Sequence, residues 1–155
     1  MVNVSEKAVT TRTALAQGFV KMKPRVVEAV RRLKNPKGNP LEITRITGIA
    51  AAKRTAEWIP LYHPLPLTHI DVTTRLCQNG VEVRSTVTTA AQTGVEMEAL
   101  VAVAAAALTV YDMCKALDKG IEISDVFLLE KTGGKSGDFR RTVGLSRKAI
   151  GRRNR

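Results

Sequence analysis

The chain has 155 residues, of which 44% are hydrophobic and only 4% are aromatic. This length suits one domain with an aliphatic core and is too short for two. The two cysteines are far apart, form no CxxC motif and follow no signal-peptide pattern, so a cytoplasmic protein is expected. The longest uncharged apolar run, residues 99–111, is shorter than the ~20 residues of a membrane-spanning helix. We therefore expect that the protein is not a membrane protein.

The net charge of +11 is concentrated at the C-terminal end. Seven cations and no acid follow Asp138, which leaves +4 for the rest of the chain. We predict a single domain over residues 1–139 and a basic, flexible tail over residues 140–155. Attachment to nucleic acid through this tail is the disfavoured alternative, because no recognised nucleic-acid-binding fold accompanies it.

The first part of the chain predicts a strand followed by two helices. A threonine-rich alternating run over residues 11–22 is typical of a strand. Pro24 suits the first turn of a helix whose apolar residues continue at helical spacing to Leu33. Asn39 is a good N-cap for a second helix, which should run to about Trp58, before the next proline.

A β-hairpin is predicted in the middle of the chain. Two alternating β-rich runs, residues 68–76 and 80–90, are separated by a short polar segment that ends in Asn79-Gly80. This dipeptide favours a type I′ turn, because both central residues of that turn need a positive φ.

A third helix and a last strand follow the hairpin. Thr93 and Glu96 match a capping box, and Gly120 suits the end of the helix. The helix is apolar nearly all the way round, so it should be buried on several sides. A strand over residues 121–131 and a glycine loop over residues 132–139 complete an α+β fold, in which helices cover an antiparallel sheet.

The third helix carries one charged pair within an otherwise apolar sequence. Asp112 and Lys115 are three residues apart and therefore share a face. An ordinary exposed stripe at the helix end would explain the pair. In a cleft, by contrast, the cation would lower the pKa of Asp112, and partial burial would lower the pKa of Lys115. That arrangement would supply acid and base groups.

Glu98 lies on the same helix, fourteen residues before Asp112. At about 100° and about 1.5 Å per residue, the two carboxylates are within about 40° of one face but roughly 21 Å apart. Glu98 therefore supports the helix start, belongs to a second site, or reaches the Asp112 end of a neighbouring subunit. The last alternative predicts an oligomer.

Three further lysines are weaker candidates. Lys53 and Arg54 are adjacent on the second helix, so at most one faces a given cleft, and solvated cations are the simpler interpretation. Lys131 and Lys135 flank glycines in "KTGGKSG", which lacks the first glycine of a P-loop. An anion site and a plain surface turn fit that segment equally well.

The two histidines do not predict a metal site. His63 and His69 are six residues apart, with no accompanying cysteine or carboxylate cluster. His63 lies between two prolines, whose stiff backbone would fix the direction of an imidazole able to exchange protons near neutral pH.

Three long motifs occur in a characteristic order: "KRT" followed by "PLYHPLPLTHIDV", then "TGVEMEAL-x9-VYDMCKAL", then "LLEKTGGKSGDF". With them, the chain resembles the molybdenum cofactor biosynthesis protein C family, the cyclic pyranopterin monophosphate synthases. The likeness extends from residue 1 to about Phe139.

The resemblance implies a fold, an assembly and a reaction. The fold is a ferredoxin-like α+β fold, assembled as a homohexamer (a trimer of dimers) with active sites at subunit interfaces. The enzyme is a lyase that converts 3′,8-cyclo-7,8-dihydro-GTP to cyclic pyranopterin monophosphate and releases diphosphate. No cofactor is implied, because the family reaction has no redox step.

The resemblance also implies roles for residues at matching positions. Asp112 and Lys115 match the catalytic pair, and Lys53 and Lys131 match further catalytic or phosphate-facing lysines. The matching substrate-binding positions are Lys37, Leu61, Tyr62, His63, Met97 and Glu98.

The chain departs from the family pattern at three positions. Tyr62 stands where the family usually has Cys, and Asn3 and Asn39 stand where it usually has Asp. Tyr62 adds bulk beside His63 and is expected to change the shape of the ring pocket. Asn39 removes a negative charge close to Lys37 in sequence.

Overall fold

Helices cover one face of a five-stranded antiparallel sheet in the computed structural model, which describes residues 1–142. The strands are β1 (Thr10–Lys21), β2 (Leu67–Cys77), β3 (Gly80–Ala91), β4 (Glu122–Thr132) and the short β5 (Phe139–Arg140). The helices are α1 (Pro24–Arg31), α2 (Pro40–Ala52), the single turn α3 (Thr55–Trp58) and α4 (Glu96–Cys114).

The sheet has the strand order β2-β3-β1-β4-β5, and every neighbouring pair is antiparallel. Apart from the extra helices before β2, the chain follows the β-α-β-β-α-β order of a ferredoxin-like fold. The predicted α+β class and the antiparallel sheet covered by helices are thereby confirmed.

Helix α4 forms the centre of the core, in contact with β1, β3, β4 and α2. Small residues allow it to approach the sheet closely. A Cβ added to Gly18 of β1 would lie 2.5 Å from Val103 Cγ1, so even a methyl group has no room there. The prediction that this helix is buried on several sides is confirmed. Its fully buried alanines are Ala99, Ala102, Ala106 and Ala107.

By length and composition alone, α4 is also apolar enough to cross a membrane. Within the fold, 61% of an apolar 18-residue stretch of α4 is buried. The sheet and α2 therefore cover most of the apolar surface of α4.

The second predicted helix is divided in two. Helix α2 ends at Ala52 instead of continuing to Trp58. The buried Thr55 donates from its Oγ1 to the Ala52 carbonyl at 3.0 Å, which satisfies one of the carbonyls that a helix end leaves free. The predicted start is confirmed, because the Asn39 Oδ1 accepts from the Leu41 amide at 3.0 Å.

Both predicted ends of the third helix are wrong. Helix α4 begins after Val95, with no side-chain cap, so Thr93 and Glu96 do not form the expected capping box. At the other end, α4 stops at Cys114 rather than near Gly120. The Gly120 amide instead donates to the Asp118 Oδ1 at 2.9 Å, within the turn that leads to β4.

The predicted hairpin is confirmed, but its turn type is wrong. Cys77 pairs with Gly80, so Gln78 and Asn79 form the turn, and neither has a positive φ. Glycine is needed at position 80 for a different reason: an added Cβ would lie 2.1 Å from the Val20 carbonyl oxygen.

The glycine loop ends in β5, which the sequence did not predict. Arg140 pairs with Glu130 of β4 at 3.0 Å, and the Arg141 guanidinium lies 5.0 Å from the centre of the Phe127 ring. These two arginines of the predicted tail contact the sheet. Most of that tail, residues 143–155, lies outside the described residues.

Candidate active site

One carboxylate holds two lysines at the C-terminal end of α4. The Asp112 Oδ2 is 2.6 Å from the Lys37 Nζ, and its Oδ1 is 2.8 Å from the Lys115 Nζ. Lys37 lies in the loop between α1 and α2, whereas Lys115 is the C-cap of α4. These three residues are called the lysine–aspartate cluster below. Their side chains are about half exposed, at 46%, 52% and 50% for Lys37, Asp112 and Lys115.

Asn35 fixes the loop that carries Lys37. Its buried side chain donates from Nδ2 to the Met113 carbonyl at 3.0 Å, and its Oδ1 accepts from the Lys37 amide at 2.9 Å. Asn35 therefore links the α1–α2 loop to the last turn of α4. No local sequence pattern indicates Asn35, because its role depends on a tertiary contact between distant segments.

Asn39 has a local structural role beside this loop. Its side chain caps α2, and the charge of Lys37 is paired with Asp112 instead. Lys37 therefore has a carboxylate partner although residue 39 carries no negative charge.

The lysine–aspartate cluster is strongly coupled electrostatically. Hydrogen bonds from Lys115 and then Lys37 lower the pKa of Asp112 to about 2. The bond to Asp112 raises the pKa of Lys115. The pKa of Asp112 shifts in the direction expected for a cleft. The pKa of Lys115 shifts the other way, because the exposed ammonium gains more from its carboxylate partner than burial takes away. At neutral pH, the Asp112 carboxylate is therefore ionised and the Lys115 ammonium is protonated.

A second group of polar residues lies at the other end of α4. The Tyr62 hydroxyl is 2.7 Å from the Glu98 Oε2, and the Lys131 Nζ is 3.5 Å from the Glu96 Oε1. Tyr62 comes from the loop before β2, and Lys131 comes from β4. These four residues are called the tyrosine–glutamate cluster below. Glu96 was not among the predicted site residues.

Glu98 is the most buried residue of the tyrosine–glutamate cluster, with only 2% of its surface exposed. Burial raises its pKa, and the hydrogen bond with Tyr62 opposes that shift. Burial and then the bond to Glu98 raise the pKa of Tyr62, so its hydroxyl stays protonated at neutral pH.

The proline-rich segment, residues 60–66, contains Tyr62 of this cluster and lines a cleft beside it. The His63 Nε2 is 2.9 Å from the Val2 carbonyl oxygen, so the imidazole contacts the N-terminal segment. Leu61 is 74% exposed, and Met97 is half-buried in the first turn of α4. A cleft of about 450 Å³ runs past His63 between the proline segment, the N-terminal segment and the end of β3.

A larger cleft of about 770 Å³ lies beside the glycine loop and has basic walls. Ser136 of this cleft accepts a hydrogen bond from the Lys131 Nζ at 2.7 Å, so the cleft adjoins the tyrosine–glutamate cluster. It is called the basic cleft below. Its lining residues are Glu6, Lys7, Ala8, Thr10, Arg12, Gly134, Lys135 and Ser136.

Glycine lets the loop approach Arg12 in the basic cleft. Gly134 has a φ of +84°, and an added Cβ would lie 2.0 Å from an Arg12 guanidinium nitrogen. Arg12 is itself held by bonds from its guanidinium to the Ala91 and Gln92 carbonyl oxygens, at 3.0 and 3.2 Å. The pattern of the glycine loop indicates Lys135 but not Arg12, because Arg12 belongs to a strand far from the loop in sequence.

The family assignment comes from comparison with known proteins. The family model of the MoaC family matches residues 1–134. The chain belongs to the MoaC family.

Named relatives in this family share about half of their residues with the chain. A cyclic pyranopterin monophosphate synthase of Thermomicrobium roseum is 52% identical over 143 residues, covering 91% of this chain and 86% of the relative. One from Streptomyces griseus is 54% identical over 143 residues, covering 92% and 81%. Cyclic pyranopterin monophosphate synthase 1 of Mycobacterium bovis is 52% identical over 144 residues, covering 92% and 85%. The predicted resemblance is confirmed.

Within this MoaC chain, the predicted site residues fall into separate places. The lysine–aspartate cluster and Glu98 lie at opposite ends of α4, about 21 Å apart along its axis. Lys53, the exposed C-cap of α2, forms no ion pair or side-chain hydrogen bond within residues 1–142. One chain alone therefore does not bring all the predicted residues together. No group of three His, Cys, Asp or Glu side chains suited to a metal ion occurs in the same described range.

Proposed function

We propose that this MoaC-family chain is a cyclic pyranopterin monophosphate synthase, a lyase of molybdenum cofactor biosynthesis that acts in the cytoplasm. Its substrate is 3′,8-cyclo-7,8-dihydro-GTP, and its products are cyclic pyranopterin monophosphate and diphosphate. The names of its relatives support the activity. The single observation that carries the catalytic assignment is the Asp112 carboxylate, which binds the ammonium groups of Lys37 and Lys115.

The lysine–aspartate cluster performs the proton transfers of this proposal. The purine-derived ring must open and close again as a pyranopterin, so nitrogen and oxygen atoms gain and lose protons along the way. Lys115 is assigned as the proton donor, because Asp112 holds its ammonium in place at 2.8 Å. Lys37 supplies a second positive charge, which stabilises negative charge that develops on the reacting atoms. The conversion is redox-neutral, so it needs no flavin or nicotinamide.

The phosphate chain occupies the basic cleft. Glycine residues leave backbone amides open to an anion, and the cations Lys7, Arg12 and Lys135 line the same space. Lys131 lies at the edge of this cleft, through its bond to Ser136. The cleft therefore offers several charges to a triphosphate whose diphosphate part must leave.

The ring of the substrate binds beside the tyrosine–glutamate cluster. Leu61, Tyr62 and His63 form one wall, and Met97 and Glu98 form the other, at the first turn of α4. The Tyr62 contact with Glu98 supports this placement, because it joins the two walls.

A complete site needs two subunits. The ends of α4 are about 21 Å apart, which is too far for one small reacting centre to touch both. We therefore assign the lysine–aspartate cluster and the tyrosine–glutamate cluster of each site to different subunits of a homohexamer, a trimer of dimers, with Lys53 joining from the interface. Large apolar side chains exposed on the helices support an interface there. They are Ile43, Ile46, Trp58 and Leu108.

Turnover by the purified protein tests the proposal. The protein is incubated with 3′,8-cyclo-7,8-dihydro-GTP, while diphosphate release and the mass of the product are followed. Lys115→Ala should abolish both signals without changing oligomer size. Lys21→Ala is the matched control, since Lys21 also pairs with a carboxylate, Glu122 at 3.9 Å, but lies outside the proposed site. Full turnover by Lys115→Ala, or none by the wild type, contradicts the proposal.

A further inference from the structure

The contact between Tyr62 and Glu98 gives Tyr62 a role beyond forming a wall. The Tyr62 hydroxyl lies 2.7 Å from the Glu98 Oε2 and 2.9 Å from the Gly94 carbonyl oxygen. It thus joins the proline-rich loop to the segment that leads into α4 and to the carboxylate in its first turn.

The hydroxyl has one hydrogen, so it donates to only one of these two acceptors at a time. When Glu98 is ionised, donation to the carboxylate is favoured, because hydrogen bonds to charged acceptors are the stronger ones. When Glu98 is protonated, its own O–H can donate to the Tyr62 oxygen, and the Tyr62 hydrogen turns to the Gly94 carbonyl. The arrangement of this pair therefore depends on the charge of Glu98.

Few other groups act on Glu98. It forms no ion pair with a lysine or arginine of residues 1–142, although only 2% of its surface is exposed. Glu96 lies on the same turn of α4, where its negative charge opposes ionisation of Glu98, and Lys131 of β4 pairs with Glu96. Tyr62 is thus the side chain that donates to this buried carboxylate.

We propose that Tyr62 is a positioning residue for Glu98: its hydroxyl orients the buried carboxylate to accept hydrogen bonds from N–H groups of the bound purine-derived ring. The inference rests on the proposed function, since it concerns recognition of that substrate. Without the hydroxyl, burial favours the protonated acid, which presents one acceptor fewer to the ring. Ring binding would then weaken while the lysine–aspartate cluster stays intact.

Tyr62→Phe tests this role, because it removes the hydroxyl and keeps the aromatic ring. KM should rise roughly tenfold at neutral pH, the loss expected for one hydrogen bond to a charged group, while kcat changes less. The acid limb of kcat/KM should move to higher pH, because Glu98 is then more readily protonated. Thr109→Val is the matched control: it removes a hydroxyl that bonds to the Ala105 carbonyl within the same helix, far from Glu98.

A double-mutant cycle separates positioning from a general loss of structure. In a Glu98→Gln background, Tyr62→Phe should have little further effect, and the acid limb assigned to Glu98 should be absent. The inference is wrong if the wild type and Tyr62→Phe share one pH profile, or if the two substitutions act additively. Should Tyr62→Phe fail to fold, a Glu98→Gln profile that keeps the acid limb still overturns the inference. A wild type without turnover would instead refute the proposed function.

Discussion

Lys37 and Asp112 are 75 residues apart in the chain, yet the Lys37 Nζ lies 2.6 Å from the Asp112 Oδ2. The same Nζ donates to the Asp112 backbone carbonyl at 3.2 Å, so Lys37 also satisfies one of the free carbonyls at the end of α4. One side chain thereby completes the helix end and places a second cation beside the proposed proton donor.

Asp112→Asn should remove the link between the two lysines. The amide cannot carry the charge that binds both ammonium groups, so we expect turnover to fall roughly 100-fold or more, the usual range for acid–base groups. The melting temperature should change little, because the ion pairs are exposed. Initial rates of diphosphate release and a thermal melt measure the two effects.

Glu28→Gln is the matched control for that substitution. Glu28 also pairs with two cations, Arg31 and Arg32, but it lies on α1 outside the proposed site. It should keep wild-type turnover. An equal loss in both variants would mean that general electrostatics, rather than the Asp112 cluster, governs the rate.

The low pKa of Asp112 predicts how the cluster responds to acid. Asp112 titrates near 2, below its ordinary value of 3.8, so its ion pairs contribute stability above pH 3.8. That contribution is lost as the pH falls from 3.8 through about 2. An NMR titration of the Asp112 carboxyl, assigned by its absence in Asp112→Asn, should show this low midpoint. A midpoint near 3.8 would show that the lysines do not hold the carboxylate in solution.

Lys115 gives the corresponding prediction at high pH. The bond to Asp112 raises its pKa above the ordinary 10.5, so its contribution is present below that pH. The contribution is lost as the pH rises through the higher folded-state value. In Asp112→Asn, the Lys115 ammonium should titrate at lower pH than in the wild type. Nitrogen-15 NMR of the lysine side chains measures this difference, and equal midpoints would contradict the assigned pairing.

Gly134→Ala should damage the basic cleft. The new Cβ would overlap a guanidinium nitrogen of Arg12, so the guanidinium must shift within the cleft, and we expect its bonds to the Ala91 and Gln92 carbonyls to weaken. We expect weaker binding of the phosphate chain, measured as a higher KM and as weaker inhibition by added diphosphate. The Lys115 chemistry should be less affected, so kcat should fall less than KM rises.

Gly137→Ala separates this effect from backbone strain. Gly137 also has a positive φ, of +70°, but an added Cβ would meet nothing within 4 Å. Both variants carry a similar strain of roughly 1–2 kcal/mol, whereas only Gly134→Ala displaces Arg12. Equal KM values in the two variants would show that the approach of Gly134 to Arg12 is unimportant for binding.

Local signals in the sequence predicted the parts of the fold that depend on neighbouring residues. Asn39 caps α2 as expected, and the all-round apolar pattern of α4 predicted its burial. The expected capping box does not form, and Glu96 pairs with Lys131, a residue 35 positions later in the chain. Asn35 and Arg12 likewise owe their roles to contacts that only the tertiary structure creates. Family motifs supplied candidate site residues that no local pattern could group.

The two-subunit site predicts that two variants with different defects restore each other. Asp112→Asn damages the lysine–aspartate cluster, and Glu98→Gln damages the tyrosine–glutamate cluster, at opposite ends of the same helix. If each site takes one cluster from each of two subunits, a mixed oligomer contains some sites in which both clusters are intact.

Turnover after the two variants are mixed and exchanged decides this point. At low substrate concentration, each variant alone should turn over far more slowly than the wild type, and the mixture should recover a measurable part of the wild-type rate. In the control, each single variant is mixed with a double mutant that carries both Asp112→Asn and Glu98→Gln. That double mutant offers no intact cluster to any site, so no rate should return. Restoration is impossible if both clusters of a site belong to one chain, because every chain in the mixture carries a defect. A mixture that exchanges subunits, as native mass spectrometry can show, yet is no faster than the separate variants would therefore rule out the shared site.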